Sequence, residues 1–149
     1  MEYEGEIGIV IDRRLSRVDE AEAKGAIRGI VAVNDVTARD LQKSDSQWTR
    51  AKGFDTFCPV GTMVAPPGDL SSLTVVTRVN GNEKQRGVAS QMAFSIPMVL
   101  AYISHIMTLE PGDLVATGTP AGVGKLQPGD DVEVEVLGLS RVRNRVAAP

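Results

Sequence analysis

The chain has 149 residues, of which 42% are hydrophobic and 23% charged, with a net charge of −3 and a pI near 5.2. This length suits one domain with a real core. The acidic balance and the scattered Lys and Arg residues argue against nucleic acid or an anionic membrane as a partner. The single cysteine, Cys58, excludes an internal disulfide, and no apolar run could span a bilayer. Because no charged-then-apolar leader opens the chain, we expect a cytoplasmic domain.

The first half of the chain alternates strand and helix signals. Residues 3–11 form a predicted strand that ends at charged residues. Asp19 can cap a helix over residues 20–28, and a β-branched strand is predicted over residues 29–36. Residues 34–62 are polar and aromatic without a regular period. A loop of that length usually carries function, so we expect the site there.

The second half contains a hairpin signal, one amphipathic helix and two similar turns. Asn80-Gly81 follows a predicted strand over residues 73–79 and indicates a tight hairpin. Ser95 marks a helix start. The predicted buried face of that helix comprises Ile96, Val99, Leu100, Ile103 and Met107. Two Pro-Gly-Asp turns, at 110–113 and 127–130, lead into predicted strands at 114–117 and 132–136. The chain therefore predicts many short strands with two or three helices.

Three carboxylates stand out as candidate metal ligands. Glu4 and Glu6 are two residues apart in a predicted strand, so both side chains point to the same face. A bare pair of this kind is also typical of a solvated edge strand. Asp35 ends another apolar strand and strengthens the metal hypothesis only if it lies near the pair. Three carboxylates with open positions for water suit Mg²⁺ or Mn²⁺, with Ca²⁺ as a further alternative. One His and one Cys exclude the usual zinc sites.

Several longer motifs occur in one order along nearly the whole chain. They are the opening Glu-x-Glu, residues 34–42 (NDVTARDLQ), 47–57 (QWTRAKGFDTF), 92–97 (MAFSIP), 107–109 (MTL) and 117–124 (TGTPAGVG). In this content and order the chain resembles the fumarylacetoacetate hydrolase family. The resemblance implies an α+β, mostly β fold, a flattened roll or sandwich of strands with peripheral helices, over residues 1–149. It also implies a homodimer, and Glu4, Glu6 and Asp35 as the metal ligands.

The resemblance implies roles for four further side chains. They are Lys52 as the active-site lysine, and Arg39, Gln42 and Thr119 as substrate-binding residues. Each has an ordinary alternative. Lys52 could be one more exposed cation, and Arg39 could pair structurally with Asp40 or Asp35. Thr119 could be a plain turn threonine.

The predicted chemistry is that of a metal-stabilised enolate. A 2-oxo or β-diketo dicarboxylic acid can chelate a metal through its carboxylate and the neighbouring oxygen. C–C bond hydrolysis, isomerisation of 2-hydroxyhepta-2,4-diene-1,7-dioate and decarboxylation of oxaloacetate all pass through such an enolate. The resemblance therefore implies a hydrolase or isomerase of aromatic-compound or oxo-acid catabolism. The alternative is a non-catalytic metal- and ligand-binding domain.

Two departures from the family pattern bear on the reaction. Family members carry a segment ahead of the Glu-x-Glu strand, with a His–Glu pair on a mobile lid that supplies the general base of the hydrolases. Here Met1 stands immediately before that strand, so we expect either a fragment of a longer protein or a shortened relative in which this segment is absent. The single histidine, His105, falls on the predicted helix, where we expect a surface residue. Ala89 stands where the family often has Thr.

Overall fold

The computed structural model describes residues 1–148, which form nine strands and four helices. The strands are β1 (Glu2–Tyr3), β2 (Gly5–Ile11), β3 (Ile27–Asn34), β4 (Thr74–Val79), β5 (Asn82–Val88), β6 (Leu114–Ala116), β7 (Gly124–Lys125), β8 (Asp131–Val136) and β9 (Ser140–Arg145). The helices are α1 (Glu20–Lys24), α2 (Arg39–Ser44), α3 (Thr49–Lys52) and α4 (Ile96–Ile106), with a 3₁₀ turn at Ala89–Gln91. The predicted α+β, mostly β class is confirmed.

The strands form two larger antiparallel sheets and one small one. Their orders are β3-β2-β6, β5-β4-β8-β9 and β1-β7. One hydrophobic cluster joins the larger sheets, with Ile7 and Ile9 from the first and Val75, Val134 and Val136 from the second. Because these side chains leave water together, the cluster fixes how the sheets face each other. It also fixes β2, which carries Glu6 and directly follows Glu4.

The first helix is shorter than predicted. Its start at Asp19 is as expected, because the side chain accepts from the Glu22 N–H. The predicted end at residue 28 is wrong, since Gly25 caps the helix and β3 begins at Ile27. Within α1 only Ala23 is buried. Packing therefore contributes little to the stability of this helix and does not favour its extension. Pairing with β2 instead favours the extended conformation from Ile27 onward.

Helix α4 begins as predicted and ends one residue early. Ser95 is the N-cap of the helix, and Ile96 and Leu100 lie on its buried face. The prediction that Met107 lies on the buried face is wrong, because Met107 is 61% exposed. Its backbone is extended (φ −142°, ψ 151°), so it has left the helical period that would have buried it. Within residues 1–148, no helix is both long and apolar enough to cross a membrane.

The turns follow the sequence signals, whereas strand β9 does not. Asn80 and Gly81 have φ values of 52° and 77°, as a tight hairpin turn between β4 and β5 requires. Gly112 and Gly129, in the two Pro-Gly-Asp turns, also have positive φ. Strand β9 was not predicted. Its sequence, SRVRNR, is dominated by arginine, which is typical of an exposed edge strand rather than of an apolar run.

Candidate metal centre

The fold brings the three predicted carboxylates together. Glu4 lies at the break between β1 and β2, Glu6 lies in β2, and Asp35 directly follows β3. The β2–β3 register pairs Gly5 with Asn34, which places Asp35 beside Glu4. One side-chain oxygen of each carboxylate lies within 4.8 Å of the others. A sequence separation of about thirty residues is thus closed by one antiparallel pairing.

Two cationic side chains reach the cluster from the short helices that follow β3. Lys52, at the end of α3, places Nζ 2.9 Å from Glu4 Oε2 and 2.5 Å from Asp35 Oδ2. Arg39, at the start of α2, donates from Nη2 to Glu4 and from Nε to Glu2 Oε2 at 2.8 Å. The alternative in which Lys52 is simply an exposed cation is wrong, because its side chain is 23% exposed and doubly paired.

The alternative in which Arg39 pairs with Asp40 or Asp35 is also wrong. Among residues 1–148, its acidic partners are Glu2 and Glu4, and neither Asp35 nor Asp40 pairs with it. Gln42, one helical turn further along α2, accepts a hydrogen bond from Arg39 Nη1 through Oε1. Arg39 and Gln42 therefore lie side by side at the edge of the acidic cluster, where the resemblance implied a substrate-binding role.

The donor set fits a divalent cation. Four carboxylates, those of Glu2, Glu4, Glu6 and Asp35, face the two cations Arg39 and Lys52. When all are ionised, two negative charges stay uncompensated. Carboxylate oxygens are the ligands that Mg²⁺, Mn²⁺ and Ca²⁺ prefer, and water can complete their coordination. Glu4, Glu6 and Asp35 are thus the residues that could hold such an ion.

The carboxylates differ in their affinity for protons. Burial by itself favours a raised pKa for Glu4, but hydrogen bonds from Lys52 and Arg39 outweigh it and keep that pKa below its ordinary value. Burial raises the pKa of Glu6 to about 7, repulsion from Asp35 and Glu4 adds to it, and the Gly118 N–H offsets only part. Burial opposes the charge on Lys52, yet Asp35 and Glu4 hold the Lys52 pKa above its usual value. Lys52 is therefore an ammonium at neutral pH.

The glycine-rich turn after β6 closes over the same strand. The Gly118 N–H donates to Glu6 Oε2 at 2.7 Å. Thr119 Oγ1 donates to the Gly5 carbonyl at 3.0 Å and accepts from Gln85 Nε2 at 2.8 Å. The hydroxyl proton of Thr119 is thus already engaged. Binding a carboxylate through this hydroxyl would require it to turn away from Gly5.

Three groups in this arrangement were missed by sequence reasoning. Glu2 extends the alternating Glu4 and Glu6 pattern by one step, and that period could have identified it. The Gly118 N–H is a backbone group, so no side chain in the sequence indicates its role. Gln85 is 2% exposed, yet it stands in a charged stretch typical of an exposed strand. No feature of the sequence alone marks it.

A cavity of about 520 Å³ borders the turn from the other side of β2. Its lining includes Ile7, Phe94, Gly118 and Thr119 but none of the clustered carboxylates, nor Lys52. Because Ile7 and Glu6 are successive residues of a strand, they point to opposite faces. The cavity and the acidic cluster are therefore separate features that share one turn.

The chain also matches a family model along its length. The model of the fumarylacetoacetate (FAA) hydrolase C-terminal domain covers residues 1–147. The chain belongs to the fumarylacetoacetate hydrolase family. Members of this family are hydrolases and isomerases that are generally dependent on a divalent metal. The acidic cluster of this member offers the carboxylate oxygens that a divalent ion prefers.

Individual relatives agree with this placement. The chain is 46% identical to MJ1656 of Methanocaldococcus jannaschii, covering 98% of this chain and 62% of that protein. It is 40% identical to oxaloacetate tautomerase YisK of Bacillus subtilis, covering 98% of this chain and 52% of that protein. The crystal structure of 2-hydroxyhepta-2,4-diene-1,7-dioate isomerase from Mycobacterium marinum superposes with a TM-score of 0.93 at 47% identity, covering 98% of this chain and 58% of that chain. The chain thus spans little more than half the length of these relatives.

Proposed function

We propose that this member of the fumarylacetoacetate hydrolase family is a divalent-metal-dependent enzyme that forms enolates of small 2-oxo or β-diketo dicarboxylic acids. The proposed reaction is isomerisation, with keto–enol tautomerisation of oxaloacetate as its simplest case. One observation carries the proposal. Three carboxylate oxygens lie within 4.8 Å of one another, with the Lys52 ammonium in contact with two of those carboxylates. This combination suits an acid that chelates the ion and whose 2-oxo oxygen becomes negative when the enolate forms.

The proposed roles follow from the charges of the site. Glu4, Glu6 and Asp35 would hold Mg²⁺ or Mn²⁺, which withdraws electron density from a bound 2-oxo acid and so favours its enolate. The Lys52 ammonium adds positive charge where the oxygen becomes negative. Arg39 and Gln42, which are hydrogen-bonded to each other, offer donors to the substrate's carboxylates.

Of the candidate reactions, tautomerisation requires the fewest catalytic groups. A solvent water takes the proton from C3 of oxaloacetate, and the C–H bonding pair forms the C2–C3 double bond. The π pair of the C2 carbonyl moves onto its oxygen, which takes a proton back from the solvent. No atom is gained or lost. The names of two relatives, an oxaloacetate tautomerase and a heptadienedioate isomerase, support a reaction of this class. Hydrolysis of a C–C bond shares the enolate but needs an activated water as well.

A substrate panel with Mg²⁺ and Mn²⁺ tests the proposal. It covers oxaloacetate, acylpyruvates, fumarylpyruvate and 2-hydroxyhepta-2,4-diene-1,7-dioate. We expect turnover that requires the metal, with tautomerisation or isomerisation faster than hydrolysis. Mn²⁺ binding without turnover of any of these acids would instead favour the non-catalytic binding domain.

Calorimetric titration with Mn²⁺ tests the ligand assignment separately. We expect Glu6→Gln to weaken Mn²⁺ binding by about tenfold or more. Loss of a residue that only hydrogen-bonds to a metal ligand typically lowers affinity by that factor, and Glu6 is proposed to bind the ion directly. Asp40→Asn is the matched control, because Asp40 is an exposed acid outside the cluster. Equal Mn²⁺ affinity in the wild type and Glu6→Gln would refute the assignment.

A further inference from the structure

The backbone around the two glutamates is held by side chains as well as by the β2–β3 ladder, which begins at the pairing of Gly5 with Asn34. Strand β1 ends before Glu4 and β2 begins after it. The Glu4 N–H donates to Asn34 Oδ1 at 3.0 Å, and the Gly5 N–H donates to Gln85 Oε1 at 3.0 Å. The Gly5 carbonyl accepts from the Thr119 hydroxyl. These three side chains therefore add to the ladder in fixing the backbone that directs both carboxylates.

Gln85 links this backbone to the turn that contacts Glu6. Its Oε1 accepts from Gly5, while its Nε2 donates to Thr119 Oγ1 at 2.8 Å and to the Pro120 carbonyl at 2.9 Å. A reversed amide would set N–H against N–H at Gly5 and oxygen against oxygen at Pro120. The hydrogen-bond network thus defines the orientation of the amide. With 2% exposure, Gln85 has no water to replace these partners.

Gln85 touches both structures that shape the acidic cluster but none of its carboxylates. On one side it fixes Gly5, which lies between Glu4 and Glu6. On the other side it fixes the turn whose Gly118 N–H donates to Glu6 Oε2. We propose that Gln85 is a positioning residue that sets the separation and direction of the two glutamates for metal binding. The inference rests on the proposed metal-dependent function.

The strand pair that carries Gln85 also supplies a matched control. Thr77 pairs with Gln85 across β4 and β5 and is fully buried against Gly5. Its hydroxyl has no hydrogen-bond partner among residues 1–148. Thr77→Ala therefore perturbs the same part of the core without removing a polar contact to Gly5 or to the turn.

The test compares Mn²⁺ affinity in the folded wild type, Gln85→Met and Thr77→Ala, by electron paramagnetic resonance. Met has a similar length but offers no hydrogen bonds of the amide type. We expect Gln85→Met to bind Mn²⁺ about tenfold more weakly or worse, and Thr77→Ala to stay within about twofold of the wild type, which is near the limit of such comparisons. Amide hydrogen exchange at Gly5 and Gly118 should accelerate in Gln85→Met. A merely structural role would instead accelerate exchange throughout the sheet.

Gln85→Glu provides the measurement if Gln85→Met does not fold. A carboxylate keeps the acceptor for the Gly5 N–H but loses the donor to Thr119 and Pro120, so we expect Mn²⁺ affinity below that of Thr77→Ala. Affinity equal to the wild type in a folded Gln85 variant would overturn the inference and leave the metal site intact. Absence of Mn²⁺ binding by the wild type would overturn the proposed function and this inference together.

Discussion

Lys52 is positioned to act by charge rather than by proton transfer. Its ammonium contacts Glu4 and Asp35, and these carboxylates keep the Lys52 pKa above its usual value. A side chain that stays protonated at neutral pH is a poor general base. The same positive charge can stabilise an oxyanion throughout the pH range of the proposed reaction.

Lys52→Met should therefore lower kcat while leaving metal binding nearly intact. Loss of one charge-assisted contact made mainly in the transition state typically lowers the rate by roughly a hundredfold or more. Steady-state kinetics with a substrate from the panel, together with Mn²⁺ titration, measure the two effects. His105→Gln is the control. His105 is exposed on α4, and we expect a change of less than about tenfold, below the usual contribution of a general base. An unchanged kcat with a raised KM in Lys52→Met would make Lys52 a substrate anchor instead.

Glu6 makes the stability of the metal-free protein depend on pH. Burial raises the pKa of Glu6 to about 7 from an ordinary value of 4.5. Between those values the folded protein keeps a proton that the unfolded chain has lost. The contribution of Glu6 is thus fully present below the lower value and is lost as the pH rises through the upper one. Across this window we expect a loss of about 3 kcal/mol in the free energy of unfolding.

Urea unfolding in the presence of a chelator measures this loss from acidic to neutral pH. The difference between the wild type and Glu6→Gln isolates the Glu6 contribution, because glutamine is neutral throughout. Saturating Mn²⁺ should remove the loss, since the ion binds the deprotonated carboxylate. A difference that does not change with pH would contradict the raised pKa.

At the scale of elements, the approach of β2 to β4 explains why Gly5 separates the two glutamates. A Cβ atom at this position would lie 1.9 Å from Thr77 Oγ1 and 3.2 Å from Val134 Cγ1. Both neighbours belong to the four-stranded sheet, so any side chain at residue 5 would push the two sheets apart. The Glu-x-Glu pattern in this chain thus serves packing as well as charge.

Gly5→Ala should lower the free energy of unfolding by about 1–3 kcal/mol, the usual cost of overpacking a core. Thr77→Ala removes the closest atom, so the double variant should be more stable than the sum of the two single effects predicts. Thermal or urea unfolding of the four proteins measures this coupling. Additive effects would show that the sheets do not meet at this point.

At the scale of the whole molecule, α4 carries an apolar face with no partner in the described chain. Met98, Tyr102 and Ile106 are spaced four residues apart in α4 and so share one side of the helix, and Phe94 lies just before its N-cap. They are 43–67% exposed. A two-fold symmetric interface needs only one such surface, because each copy covers that of the other. We propose a second copy of the chain as the partner, as the family resemblance implies.

The protein should sediment as a dimer at micromolar concentration. Ile106→Asp places a charge in the apolar face and should shift the protein toward a monomer of 15.9 kDa. Arg145→Asp is a charge-changing control on the exposed end of β9. A wild type that sediments as a monomer would remove the homodimer proposal, and a dimer that survives Ile106→Asp would place the interface elsewhere.

The sequence by itself determined the features that depend on local chemistry. The Asn80-Gly81 hairpin, the Ser95 cap of α4 and the mostly β class follow from turn geometry, capping and β propensity. The end of α1 and the exposure of Met107 were mispredicted, since both depend on where a helix loses its packing partner. The sequence motifs also identified Glu4, Glu6, Asp35, Lys52, Arg39, Gln42 and Thr119 as candidates.

Only the tertiary structure decided which of these side chains meet. The β2–β3 register brings Asp35 beside Glu4, and two short helices carry Arg39 and Lys52 back to it. No local pattern shows this, because the distances join residues far apart in the chain. Gln85 is the clearest case, since its charged neighbours indicate solvent whereas the fold buries it between Gly5 and Pro120. Its hydrogen bonds exist only because three distant segments pack together.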